Sequence, residues 1–208
     1  MDDVIKKTIA NLKRHRFHAY YAETGDEAVK KVFELIPKNQ SVGIGGSMTI
    51  KGLGIYEEML KRGYTVYSHW LGKDEMDTSQ FEKERTADVY LCSTNALMSR
   101  GALVNTDGLG NRVSYLFHGP KRVVVVCGKN KIVDGNYQDA IDRIKAVAAP
   151  KNVQRLGFEK NPCYITGRCH DCCSDERICC VTAIIDEPTK YPFEREYHIV
   201  IVDEDLGF

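Results

Sequence analysis

The sequence predicts an α/β fold: a Rossmann-like, mostly parallel sheet with helices on both faces. Strand-like runs alternate with amphipathic helical stretches, the pattern of βαβ units. One run, Arg122 to Val126, is almost entirely Val, as suits a strand buried on both faces. The 208 residues are 43% hydrophobic and 28% charged, a globular balance, and a chain of this size buries roughly 70% of its surface on folding. Residues 1–208 read as a single domain.

Each element has its own signal. Val4, Ile5, Thr8, Ile9 and Leu12 share a helical face, and His18 to Ala22 reads as a short strand. Thr24 to Glu27 reads as a capping box opening a helix with Ala28, Val29, Val32, Phe33 and Ile36 inward, stopped at Pro37. Ser41 to Ile44 is a strand, followed by a Gly-rich turn, a helix over about Ile50 to Lys61 and a strand from Tyr64 to Tyr67. An acidic helical stretch leads to strands at Asp88–Cys92, Ala102–Asn105 and Arg122–Val126. Tyr137 to Ala148 is an amphipathic helix ending before Pro150, with Ala140, Ile141, Ile144 and Val147 inward; Val181–Ile185 and His198–Val202 complete the strands.

Charge narrows the functional classes. Lys+Arg 29 balances Asp+Glu 29, so no global field draws the chain to nucleic acid or an acidic membrane. The longest apolar run, Val123 to Cys127, is too short to span a bilayer, and the acidic, amphipathic start is unlike a secretory signal. A cytoplasmic protein is expected. Ten basic residues against four acidic ones over Lys121–Arg168 would favour an anionic ligand or partner, although solvated helix faces explain such a run equally well.

Two loops carry ligand-binding signals. Gly45-Gly46-Ser47-Met48-Thr49 ends a strand where glycines permit close backbone approach, and the next helix would offer free amides to an anion. A simple capped turn accounts for the same residues. Thr94-Asn95 and then Asp107-Gly108-Leu109-Gly110-Asn111-Arg112 bring acid, amide and guanidinium groups to a second Gly-rich turn, which a decorated hairpin also explains. The candidate ligand residues are therefore Gly45, Gly46, Ser47, Met48, Thr49, Thr94, Asn95, Asp107, Gly108, Asn111 and Arg112, converging on a small anionic metabolite such as a hydroxy acid or sugar phosphate.

These motifs, in the order Gly-Gly-Ser-Met-Thr, Thr-Asn-Ala, Val-Asn-Thr-Asp-Gly-x-Gly-Asn-Arg-Val and Gly-Pro-Lys-Arg-Val-Val-Val-Val, resemble the LUD (lactate utilisation) domain family. The resemblance continues through Ala148–Asn152 into the Cys segment. It implies a fold like that of CoA transferases and ribose-phosphate isomerase, and a place in oxidising lactate to pyruvate beside iron–sulfur partner proteins. Many relatives carry Glu in the helix after Ser-Met-Thr, where this chain has Gly52, and that absence weakens a claim that the chain is itself a catalyst.

The remaining signal is the cysteine count. Six of eight Cys fall within Cys163–Cys180, and without an export signal metal binding is favoured over disulfides. Cys169-x2-Cys172 lets two thiolates reach one metal, Cys163 and Cys179 complete four ligands, and Cys173 and Cys180 point elsewhere. Four thiolates suit a [4Fe–4S] cluster or Zn²⁺, and the lactate context of the resemblance favours the cluster. The segment at 162–181 is expected to lie beside the ligand site at most, with anion binding independent of the metal. The leading functional reading is redox metabolism of a small organic acid with an iron–sulfur or other redox partner. The alternatives are an isomerase or CoA-transferase-like enzyme with structural Zn²⁺, or a non-catalytic binding or scaffold protein.

Overall fold

Period-2 burial along the central strands shows how the layers form. Val123, Val125 and Cys127 pack into one core on the first face, while Val124 and Val126 join a separate core on the other. The structure, a computed structural model, describes residues 1–71, 76–190 and 194–208. Its strands are β1 (His18–Ala22), β2 (Val42–Ile44), β3 (Val66–Tyr67), β4 (Val89–Cys92), β5 (Ala96–Met98), β6 (Ala102–Asp107), β7 (Arg122–Gly128), β8 (Ile132–Val133), β9 (Val181–Ile185) and β10 (Glu196–Val202). The helices are α1 (Asp3–Arg14), α2 (Gly25–Leu35), α3 (Met48–Gly52), α4 (Ile55–Lys61), α5 (Gln80–Thr86), α6 (Asn111–His118), α7 (Tyr137–Arg143), α8 (Ala149–Leu156) and α9 (Pro162–Thr166).

Six strands form a parallel sheet in the order β1-β10-β7-β4-β2-β3. Helices α1 and α6 cover one face, contributing Ile5, Leu12 and Leu116 to the core. Helices α2, α3 and α4 cover the other with Val32, Ile50, Ile55 and Met59. The expected fold class is therefore the observed one. From β2 the chain adds β3 outward and then returns to add β4 on the inner side, so strand order reverses between β2 and β4. Ligand crevices of open α/β sheets lie beyond strand C-termini at such a reversal.

A second sheet, β8-β5-β6-β9, was not legible in the sequence. Its β5–β6 hairpin and β6–β9 pairing are antiparallel, and the register Asp107↔Val181 carries the end of the Cys segment to the end of β6. Ala96, Met98, Ala102 and Val104 pack against Ala140, Ile144 and Ala148.

Several helix boundaries differ from expectation. The helix read over Ile50–Lys61 is two short ones, broken where Gly54 takes φ +63. Asp107–Arg112 is not a hairpin loop: Gly110, at φ +77, starts α6, and Arg112 lies in its first turn. The helix expected to stop before Pro150 continues through it. Ile144–Ala148 form a π-helical turn, and this shift to wider hydrogen bonding lets Pro150 enter the first turn of α8 without an interior amide being lost. The phase shift also buries Ala148 and leaves Val147 half-buried. At α2 the Thr24 hydroxyl caps Glu27, but the Glu27 carboxylate accepts from the amide of Glu23, one residue outside a closed capping box. Of the acidic helical stretch, α5 is described, whereas residues 72–75 lie outside the described residues.

Gly43 marks the tightest contact between β2 and α5: a Cβ there would sit 2.6 Å from the Glu84 carbonyl oxygen and 2.9 Å from its Cα. Backbone cannot swing aside as a side-chain tip can. Gly43→Ala should therefore cost about 1–3 kcal/mol in urea unfolding, and an unchanged midpoint would show that the α5 contact is soft.

Candidate functional site

A cavity of about 620 Å³ opens beyond the C-terminal ends of β2 and β4, at the reversal of strand order. Gly46, Ser47 and Met48 border it after β2, and Thr94 and Asn95 after β4. Asp107 and Gly108 border it from the end of β6, and Asn111 and Arg112 from α6. The two Gly-rich segments thus meet across the sheet.

Two candidates stand behind the surface. A Cβ on Gly45 would collide with the Tyr90 hydroxyl, so this glycine makes room for packing beneath the site. Thr49 is 1% exposed; its hydroxyl donates to the Leu206 carbonyl at 3.2 Å and accepts from Lys131 Nζ at 2.9 Å. Ser47 caps α3, its Oγ accepting from the Ile50 amide at 3.2 Å. Because α3 spans five residues, the helix dipole it directs at the cavity is small.

Arg112 is held by protein acceptors on every side that its terminal nitrogens face. Its Nη1 donates to the carbonyl of Ser93 at 3.4 Å and to Asn105 Oδ1. Its Nη2 meets Asn95 Oδ1 at 2.7 Å, the Thr106 carbonyl at 3.1 Å and Asp107 Oδ1 at 2.6 Å. Burial opposes the charge, but Asp107, together with Cys92 and Tyr90, offsets it and holds the pKa of Arg112 above its ordinary value. Asp107 also accepts from the Val113 amide at 2.6 Å. The guanidinium expected to grip an anion is committed to protein acceptors and to a counter-charge.

Lys131, absent from the sequence-based candidates, takes the cationic role. It follows β7 in a 3₁₀ turn (Lys129–Lys131), is 3% exposed and borders the cavity. Its ammonium donates to Thr49 Oγ1 at 2.9 Å and Ser93 Oγ at 3.0 Å, both neutral. Burial pulls its pKa down to about 8. The signal was its place just past the C-terminal end of a wholly buried strand. His69 and Glu84 were also missed. His69 borders the cavity beyond β3, and its Nδ1 lies 2.8 Å from Oε1 of the fully buried Glu84, the His69 side chain itself keeping 11% of its surface exposed. Nothing in the sequence distinguishes Glu84 from its exposed neighbours on α5.

The Cys segment comes closer than expected: Asp175 to Cys179 form one wall of the cavity, and the Cys180 amide donates to the Asp107 carbonyl at 2.9 Å. A second cavity, of about 30 Å³, is lined by Cys163, Cys169, Cys172 and Cys179 but not by Cys173 or Cys180, which are exposed. All eight cysteines are free thiols. Burial, followed by the neighbouring thiols, pushes Cys179 up to about 11 and raises Cys163. Asn161 accepts from Cys172 Sγ at 3.7 Å, and the Asp171 amide donates to Cys169 Sγ at 3.3 Å. Arg177 clamps the loop through the carbonyls of Cys172 and Cys179. As a donor set, four thiols around one cavity suit a thiolate-bound metal, although among the described residues no three His, Cys, Asp or Glu are already drawn together as a formed metal site. Cys92 and Cys127 lie deep in the first core, where burial raises both thiols.

A family model, the LUD domain, matches residues 5–202. The chain belongs to the LUD-domain family. Its fold is similar to that of a DUF162 family protein from Deinococcus radiodurans, with a TM-score of 0.57 over 96% of each chain at 11% identity, a likeness of fold alone. No curated protein matches the sequence significantly. In this LUD domain a side chain at Gly52 would extend into open space, and Gly52 does not border the cavity.

Lys131 generates a linkage prediction. With a folded pKa of about 8 against about 10.4 unfolded, the unfolded chain binds more protons between those values, so stability rises with pH across that window. Below it the buried charge costs on the order of 3 kcal/mol. Lys131→Met should raise the pH 7 stability of the ligand-free protein by up to that amount and abolish the alkaline rise in a pH series of urea melts. A destabilised variant would mean that the hydroxyl bonds outweigh the burial.

Proposed function

We propose that this LUD-domain protein binds the anion of a small organic acid, such as lactate, at Lys131 beside a four-thiolate iron–sulfur centre, and serves redox metabolism of that acid in the cytoplasm. A buried ammonium with neutral partners in a 620 Å³ cavity carries the reading, since it leaves a positive charge for a ligand carboxylate to meet. Ser47, Asn95 and Asn111 supply polar edges for the hydroxyl or oxo group, and Met48, Leu109 and Phe158 exclude water from the carbon end. Arg112 and Asp107 hold the floor of the site without contributing net charge.

Cys163, Cys169, Cys172 and Cys179 would hold the metal. When bound, a [4Fe–4S] cluster exchanges single electrons, whereas Zn²⁺ supplies only a staple. Passing those electrons on requires an iron–sulfur or other redox protein as partner.

Two measurements test the reading. In calorimetry lactate or pyruvate should bind the wild type, and Lys131→Met should lose roughly 10-fold to 150-fold in affinity, the range for a hydrogen bond to a charged group. Affinity should fall as pH rises through about 8, where the ammonium loses its proton. Equal binding by Lys131→Met removes the anion site. Separately, anaerobically purified protein should contain iron and sulfide. Serine at position 163, 169, 172 or 179 should abolish this, and serine at 173 or 180 should not. Zinc without sulfide would replace the electron-transfer role by a structural one, and full metal retention in Cys172→Ser would remove the site.

A further inference from the structure

His69 and Glu84 form a unit that ligand binding alone does not require. Glu84, on α5, is fully buried, and its carboxylate accepts twice from His69: from the backbone amide through Oε1, and from the ring Nδ1, which lies 2.8 Å from Oε1 and 3.1 Å from Oε2. A carboxylate only accepts, so the Nδ1 position carries a proton toward Glu84 and Nε2 is the ring atom left to exchange one with a ligand. The Phe81 ring packs against the imidazole at 4.7 Å between centroids and limits its rotation. His69 borders the same cavity as Lys131, and beside it Trp70 Nε1 is a buried donor with no hydrogen-bond partner among the described residues. An imidazole oriented by a carboxylate, in a cavity with an ammonium, is the pairing that general acid–base chemistry on an anion uses.

We infer that this LUD-domain cavity is catalytic, with His69 as the general base, positioned by Glu84, for proton transfer at the carbon next to the carbonyl of a 2-oxo acid held by Lys131. The inference rests on the anion site proposed above. His69 Nε2 takes the proton, and the C–H bonding pair becomes the C=C bond of an enolate. The carbonyl π pair moves to oxygen, where the Lys131 ammonium offsets the charge. Return of the proton from His69 to carbon regenerates the 2-oxo acid, so the cycle needs no oxidant or co-reactant. Glu84 touches no ligand; it fixes the tautomer and stabilises the imidazolium.

The test is exchange of the methyl hydrogens of pyruvate, the smallest enolisable 2-oxo acid, in D₂O by proton NMR, with pyruvate affinity measured in parallel. The wild type should accelerate exchange above buffer. His69→Asn, whose amide nitrogen can replace Nδ1 toward Glu84, should lose at least about 100-fold, and added imidazole should restore part of the rate in His69→Gly. Glu84→Gln should slow exchange about tenfold with pyruvate affinity unchanged, a split that a purely structural role would not produce. Pyruvate binding without exchange above buffer, or His69→Asn or His69→Gln exchanging like the wild type, overturns the inference and leaves the anion site standing. Absence of pyruvate binding overturns the inference alone if lactate binds, and overturns the anion site as well if neither does.

Discussion

The ion pair between Arg112 and Asp107 joins the two sheets. One guanidinium reaches the carbonyl of Ser93 and the Asn95 side chain beyond β4, Asn105 and Thr106 on β6, and the Asp107 carboxylate, which in turn accepts from α6 through the Val113 amide. Both side chains are about nine-tenths buried, an arrangement that persists only when each charge is paired and its remaining valences are met. Losing either member would leave the other uncompensated, a cost of about 3–5 kcal/mol. With both terminal nitrogens of Arg112 engaged in this way, the buried cation held by hydroxyls alone comes from another strand end.

That cation is costly where it stands. Lys131 is held by two hydroxyls and no carboxylate, so the empty cavity is less stable than one with an apolar residue there. Destabilisation of this kind is what a site accepts when the missing counter-charge is its ligand. The topology concentrates the cost: Ser47 follows β2, Ser93 follows β4 and Lys131 follows β7, three strand ends brought together although they are distant in sequence. Each is rigid because its strand is buried on both faces.

Legibility in the sequence follows the range of the physics. The parallel sheet was readable because period-2 and helical burial are local patterns, as at β1, where the strand bounds coincide with those read from the residues. The β5–β6 hairpin was not, since Ala96–Met98 is three residues long and its partners, β8 and β9, lie far along the chain. The two Gly-rich loops were recognisable by composition, yet how their polar groups are partnered depended on side chains elsewhere: Arg112 bonds Asp107 and the asparagines, and Thr49 supports Lys131. Glu84 gave no signal, because a buried carboxylate and a solvated one look alike in a helix. Only the approach of its backbone to Gly43 sets it apart.

The pairing of β9 with β6 bears most directly on function. It places the thiol-lined cavity and the larger cavity back to back, with Ala149, Arg177, Ile178 and Cys179 lining both. Gly108 lies against Ile178, where a Cβ would come within 3.2 Å of its Cα, so the loop beside Asp107 cannot shift without moving the Cys segment. Were the four thiols drawn together, a wall of the larger cavity would move with them, because Cys179 and Ile178 line both cavities. Any coupling of the two affinities is reciprocal by thermodynamic necessity. The expectation that anion binding does not need the metal rested on separation along the chain; the antiparallel register from Asp107 to Val181 sets the two cavities side by side in space.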